Sequence, residues 1–284
     1  MPHLPRNTER RYRKRLITDQ EILDLYEKGV SCKELALRAG ISNRQMTSDL
    51  TNMGIELRPY RGWLDVIDSD AKAYALGLIW SDGSLSKKTV AIVLQDTDAH
   101  VLRALKESSG FGHVAPFRKA GLKTVAGKEN VFCHAMTYLR WHSQDMLRAL
   151  RGYGLCENKM KVLPEAVLPP REYMRGFVRG LIDGDGHLSL RKNGDILIAF
   201  SNHNESLLRA VADYFANISG KRHNISRSHK GNHLIKNVMA SGPAAAVIAT
   251  ELYLMRAPTI AIERKRQKAR LFGQWLIARS AIAA

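Results

Sequence analysis

This 284-residue chain is poor in cysteine and in acid, and it has no long apolar run. Its three cysteines, Cys32, Cys133 and Cys156, are odd in number and unpaired in spacing. That excludes a disulfide scaffold, offers no zinc motif and suits a reducing, cytoplasmic setting. No apolar stretch approaches the ~20 residues of a membrane-spanning helix. The longest, near Ala244–Met255, is broken by Glu251, so no membrane partner is expected. The opening "MPHLPRNTERRYRKR" is basic with no apolar core behind it, which excludes a signal peptide. Asp and Glu number 27 against 44 Lys and Arg, a formal charge of +17. Such an excess points to a polyanionic partner.

The charge is densest at the start, where residues 6–15 hold six Lys or Arg and one Glu. A run of this kind is either a solvated tail or an arm that contacts phosphate. Behind it, "ITDQEILDLYEKGVSCKELALRAGISNRQMTSDLTNMGI" carries three helix starts. Thr18 with Glu21, Ser31 with Glu34 and Ser42 with Gln45 have capping-box spacing. Hydrophobic staples flank them: Ile17 with Ile22, Val30 with Leu35, Ile41 with Met46. Gly29, Gly40 and Gly54 supply the stops. The spacing predicts helices over 18–28, 31–39 and 42–53, with a tight turn at Gly40 and a small Ala36 that lets the last two approach. This pattern resembles a helix-turn-helix of the Hin-recombinase-like and sigma-factor-like kinds. The resemblance makes the third helix the DNA reader, with Asn43, Arg44, Gln45 and Ser48 toward base edges and Thr47 and Thr51 toward phosphate. A three-helix bundle that only packs would carry the same caps. Pro59 and Gly62 in "IELRPYRGW" mark a basic linker, so a first, all-α domain is expected over 1–62.

The rest of the chain repeats itself. Residues 73–85, "AYALGLIWSDGSL", align without gaps on residues 176–188, "GFVRGLIDGDGHL". Each copy is followed by a β-like run, "TVAIVLQ" or "DILIAFS", and then by a helical stretch. Strand-like segments come next (113–118 and 131–140; 223–228 and 232–239), and a helix closes each half at 143–153 and 243–254. Both halves therefore read αββαββα, an α+β architecture, with repeats expected over 63–168 and 169–284. Glycine is costly inside a helix, and acids are disfavoured at a helix C-terminus. Gly77 and Gly180 make sense if the two helices pack with their backbones close. Asp82 and Asp185 then stand at neighbouring helix ends, where like charges repel unless a cation lies between them. Hard oxygen ligands with few protein partners suit Mg²⁺, completed by water and phosphate.

At these residues the chain resembles the LAGLIDADG homing endonucleases in their monomeric, two-motif form, over about residues 70–270. The second motif, "VRGLIDGDG", departs only in its first residues; the first, "ALGLIWSDG", has Trp80 where the pattern often has an acid. "LPEAVLPPREYM" is similar to the family's bridge between repeats, and "ELYLMRAPTIAIERKRQKA" to its ending.

The resemblance implies two pseudo-symmetric four-stranded sheets forming a saddle over double-stranded DNA. Asp82 and Asp185, with the carbonyls of Ser81 and Gly184, would hold Mg²⁺ or Mn²⁺ at the scissile phosphates, and water would attack each strand. Around them the family suggests Gln95 and Ser201 at the ends of the second strands, and Arg140 and Lys236 on the fourth. Arg118, Lys119, Arg191, Lys192, Arg227 and Lys230 are the expected DNA contacts among the strands. His223, His229 and His233, with no cysteine nearby, read as part of a DNA-facing hairpin rather than a zinc site. A monomer, free-standing or intron-encoded, is expected. A cleavage-inactive DNA-binding regulator and an RNA-binding intron maturase are the alternatives on the same fold.

Overall fold

The computed structural model describes residues 15–28, 30–55, 57, 62–125, 128–191, 194–230, 233–256, 258 and 260–283. The basic run before Arg15, the stop at Gly29, Lys192 and most of the linker lie outside them. These residues form two compact units, divided between Tyr60 and Arg61.

The first unit contains α1 (Asp19–Glu27), α2 (Cys32–Ala39) and α3 (Asn43–Asn52). Thr18, Ser31 and Ser42 cap them, each side chain accepting from the backbone N–H three residues on. Only at Thr18 does the acid reach back to complete the capping box. Glu34 pairs instead with Arg38, and the Gln45 amide donates to Asp49 (2.8 Å), because an i,i+4 partner is within easier reach. Gly40 takes a left-handed φ of 68°, which turns α2 into α3. The staple residues Ile22, Leu35 and Met46 join Tyr26, Ala36, Ala39 and Leu50 in one small core.

The second unit is α+β and built from two pseudo-symmetric halves. The first half runs α4 (Asp70–Asp82), β1 (Gly83–Leu85), β2 (Val90–Gln95), α5 (Ala99–Ser109) and β3 (His113–Arg118). It continues through β4 (Gly121–Val125), β5 (Lys128–Cys133), β6 (Met136–Trp141) and α6 (Gln144–Gly152). A short α7 (Lys159–Val162) bridges to the second half. That half runs α8 (Met174–Asp185), β7 (Gly186–Leu190), β8 (Ile196–Ser201) and α9 (Glu205–Ser219), then β9 (Ile225–Lys230), β10 (His233–Ser241), α10 (Gly242–Tyr253) and α11 (Glu263–Ala283). The strand orders β1-β2-β6-β3 and β7-β8-β10-β9 match, and every pairing is antiparallel. The halves differ at β4 and β5, which pair only with each other. The expected single strand over 131–140 is in fact two strands, separated by a break at residues 134–135.

Alternation along the strands sets the two faces of each sheet. Val90, Ile92, Leu94, Leu139 and Trp141 are buried, while Ala91, Val93, Gln95, Tyr138 and Arg140 lie on the open face. In the second sheet Ile196, Ile198, Phe200, Val238 and Ala240 join the core. Between the sheets' helical layers run α4 and α8, buried at every position from Ala73 to Trp80 and from Gly176 to Asp183. A Cβ on Gly77 would collide with the Phe177 carbonyl, and one on Gly180 with the Tyr74 carbonyl. The two helices therefore touch backbone to backbone, with no room for a side chain at the crossing.

Candidate active site

The site is made where α4 and α8 stop. Each helix ends in an aspartate followed by glycine, and the chain leaves at once into a strand, Gly83 into β1 and Gly186 into β7. A Cβ on Gly184 would strike the Ser81 side chain and come within 3.3 Å of the Asp82 carboxyl carbon. So the end of α4 touches the end of α8, one residue from Asp185. Asp82 is pushed up from an ordinary 3.8 to about 6, first by loss of water around it and then by the charge of Asp185. Burial also raises Asp185, but Lys159 and an Asn202 hydrogen bond oppose that rise. Asn202 donates its Nδ2 to Asp185 Oδ2 (2.8 Å) while its Oδ1 accepts from the Asn204 N–H (2.9 Å). The second bond fixes which end of the amide faces the carboxylate. By strand register the corresponding residue beside β2 is Asp96, which accepts from Thr137 (2.6 Å).

Two lysines answer the puzzle of acids at a helix C-terminus. Lys159 on α7 donates to the carbonyls of Ile79 (2.6 Å), Trp80 (2.5 Å) and Ser81 (2.9 Å). Lys265 on α11 donates to those of Ile182 (2.5 Å), Asp183 (2.8 Å) and Gly186 (2.8 Å). An ammonium thus satisfies the orphan carbonyls and offsets the negative end of each helix. Burial depresses both lysines to about 8, and neighbouring carboxylates partly restore them. The sequence reading missed this pair. Their signal is position, since each follows the last helix of its own repeat. The Ser81 carbonyl accepts from the Lys159 ammonium through one of its two lone pairs, which leaves the other for a metal ion.

Asp183, two residues before Asp185, has a different environment. It needs no metal to compensate it, because it is buried and accepts from Tyr74 Oη (2.7 Å), Tyr253 Oη (2.7 Å) and the Ile262 N–H (2.8 Å). Arg179, fully buried one turn earlier, pairs with Asp70 and donates to the Ile260 carbonyl (3.0 Å). This acid is therefore part of the helix seam.

The other expected residues divide by face. Gln95 and Ser201 end β2 and β8 on the open side of each sheet, half-buried. Arg140 is on that side too, stacked 4.8 Å over Tyr138, with His113 opposite it on β3. Lys236 and Arg227 are not. They are cross-strand partners, in phase with the core residue Val238 and with Ile225, which packs against the core, and both bond Glu205 at the start of α9. A one-residue offset in phase puts a strand residue on the opposite face. Arg118 is half-buried, whereas Lys119 and Arg191 are exposed; Lys230 ends β9, and its side chain lies outside the described residues, as do those of His229 and His233. His223 bonds Ser219 and the Met239 carbonyl. On α3, Asn43, Arg44 and Ser48 are exposed and Gln45 is half-buried against Asp49. Thr47 and Thr51 give their hydroxyl protons to carbonyls one turn back.

Among the described residues no three or more His, Cys, Asp or Glu side chains cluster as a metal site. The oxygens at the two helix ends are the carboxylates of Asp82 and Asp185 and the carbonyls of Ser81 and Gly184. This set suits a hard divalent cation that keeps water and phosphate as its remaining ligands, and it does not suit zinc.

Comparison with known proteins adds to this geometry. Residues 172–252 match the LAGLIDADG-like domain. The match spans α8 to α10, the second half of the larger unit. No curated protein sequence matches the chain. Among solved structures, variants of the homing endonuclease I-DmoI are similar at 16% identity and a TM-score of 0.44, over 71% of this chain and 96% of theirs. I-SmaMI bound to uncleaved DNA with calcium is similar at 11% and 0.45, over 74% and 92%. The N-terminal LAGLIDADG domain of DUF199/WhiA reaches 11% and 0.42, over 74% and 98%. At such identities and scores these likenesses carry no functional weight. No described helix is long and apolar enough to cross a membrane.

Proposed function

We propose that this chain is a monomeric, two-motif LAGLIDADG homing endonuclease that makes a staggered double-strand break in a long duplex DNA target. The observation that carries the reading is the pair of aspartates brought together at two touching helix ends, with an ammonium under each end. One such site per repeat suits one DNA strand each.

Asp82 and Asp185, with the carbonyls of Ser81 and Gly184, would hold Mg²⁺ or Mn²⁺. When bound, such an ion neutralises charge on the scissile phosphate and makes its water a better nucleophile. The chain's own residues do the rest. Asn202 holds Asp185 in one orientation. Lys159 and Lys265, as ammonium groups donating to three carbonyls each, set the field at the helix ends. The open faces, with Gln95, Tyr138, Arg140 and His113 on one sheet and Ser201 on the other, would lie against the duplex. In the smaller unit α2 and α3 would act as a helix-turn-helix, with Asn43, Arg44 and Ser48 toward the bases, and the basic run before α1 would add phosphate contacts.

A cleavage assay on random-sequence duplexes, with and without Mg²⁺, tests the reading. Metal-dependent breaks lost in Asp82→Asn and in Asp185→Asn are expected. Duplex binding without any cleavage would instead favour the regulator, and preference for intron RNA the maturase.

A further inference from the structure

The repeats part company between β3 and β6. In the second half two residues, 231–232, join the equivalent strands β9 and β10. In the first half the chain makes an additional antiparallel ribbon, β4 with β5, before returning to the sheet. Leu122 and Phe132 are direct cross-strand partners on this ribbon, so they share a face. Both are exposed, at 66% and 59%, and the Phe132 ring meets the His134 ring edge-on at 5.3 Å. Nothing in the core requires them. The segment from Arg118 to His134 is otherwise basic, with Arg118, Lys119, Lys123 and Lys128 against one acid, Glu129. The Arg118 Nε is buried without a hydrogen-bond partner among the described residues.

We propose that the β4–β5 ribbon is an additional DNA-reading element, which lengthens the target on the first-repeat side only and reads thymine methyl groups through Leu122 and Phe132. A two-stranded ribbon fits the major groove, and apolar side chains there recognise the C5-methyl of thymine. The flanking cations complement phosphate, and the ribbon continues the strands β3 and β6, whose open face carries His113, Tyr138 and Arg140. This inference rests on the duplex-DNA reading given above.

Full-length protein is used to select from random-sequence duplexes without divalent metal, and each selected thymine is then replaced by deoxyuridine, which removes only the methyl. Loss of one buried methyl should weaken wild-type binding about fourfold. The dependence should fall at one end of the target alone and vanish in the Leu122→Ser/Phe132→Ser double variant, whose central preferences stay the same. Both positions are already exposed, so the variant's melting temperature should match wild type. If wild type and variant select the same flanks and respond alike to deoxyuridine, the ribbon is not a DNA reader, while the endonuclease reading stands. If no duplex is selected, both fall. If the substitutions dissolve a self-association of the wild type, the apolar face belongs to a second copy of the chain and the proposal is overturned.

Discussion

Gly77→Ala should destabilise the larger unit although alanine is the better helix former. The added Cβ would overlap the Phe177 carbonyl oxygen and lie only 3.0 Å from the Leu181 nitrogen, where ordinary contact begins at 3.4 Å. Backbone cannot turn aside as a side chain can, so α4 and α8 must part. A gap of about 1 Å forfeits a quarter to a half of the dispersion attraction along a seam. Overpacking of this kind costs about 1–3 kcal/mol, occasionally more, and alanine returns about 1 kcal/mol of helix propensity. With rigid backbone on both sides, we expect a net loss of about 2 kcal/mol. That is a fall of about 4–8 °C in Tm for a unit of this size. Gly180→Ala, which would overlap the Tyr74 carbonyl and stand 2.7 Å from the Leu78 nitrogen, should cost a similar amount. The double variant should cost less than the sum, because one separation relieves both. Gly152→Ala is the control: nothing lies within 4 Å of its added Cβ, so it should be neutral or stabilising. Thermal and urea melts of the four variants decide the matter. A Gly77→Ala protein as stable as wild type would refute the close helix crossing.

Other outcomes follow from the charges at the helix ends. Asp82→Asn should abolish cleavage yet raise stability by up to about 1 kcal/mol, because solvent beside Asp82 screens much of the cost of its charge. The sign follows from its raised value: the folded state binds this proton more readily than the unfolded chain, so the cost is present above about pH 6 and fades as pH falls toward 3.8. For the same reason Mn²⁺ binding, followed by calorimetry, should weaken below about pH 6, and pH-independent binding would contradict it. Lys265→Met should cost about 3 kcal/mol in a urea melt, since it leaves the buried carbonyls of Ile182, Asp183 and Gly186 without their donor. Asn202→Asp places a like charge beside Asp185 and should slow one strand only, so that nicked duplex accumulates on a gel; equal slowing of both strands would show that Asn202 does not act through Asp185.

The sequence by itself determined the repeat, the helix starts and the aspartates at the ends of α4 and α8. These are local or periodic signals: caps at Thr18, Ser31 and Ser42, a glycine at matching places in two halves, an acid before each strand. The repeat alignment singled out Asp185 by pairing it with Asp82 and left Asp183 opposite Trp80, but it could not say what Asp183 does, because its partners Tyr74, Tyr253 and the Ile262 N–H arrive from elsewhere. Nor could it find Lys159 and Lys265, which reach their helix ends from the bridge and from the final helix. The face of Lys236 was decided by strand register, and register is a property of the pair β9–β10 rather than of either strand. Composition and spacing fix what lies along one element. Which buried charge meets which partner is set only when distant elements are packed, and here that packing separates Asp183 in the helix seam from Asp82 and Asp185 at the helix ends.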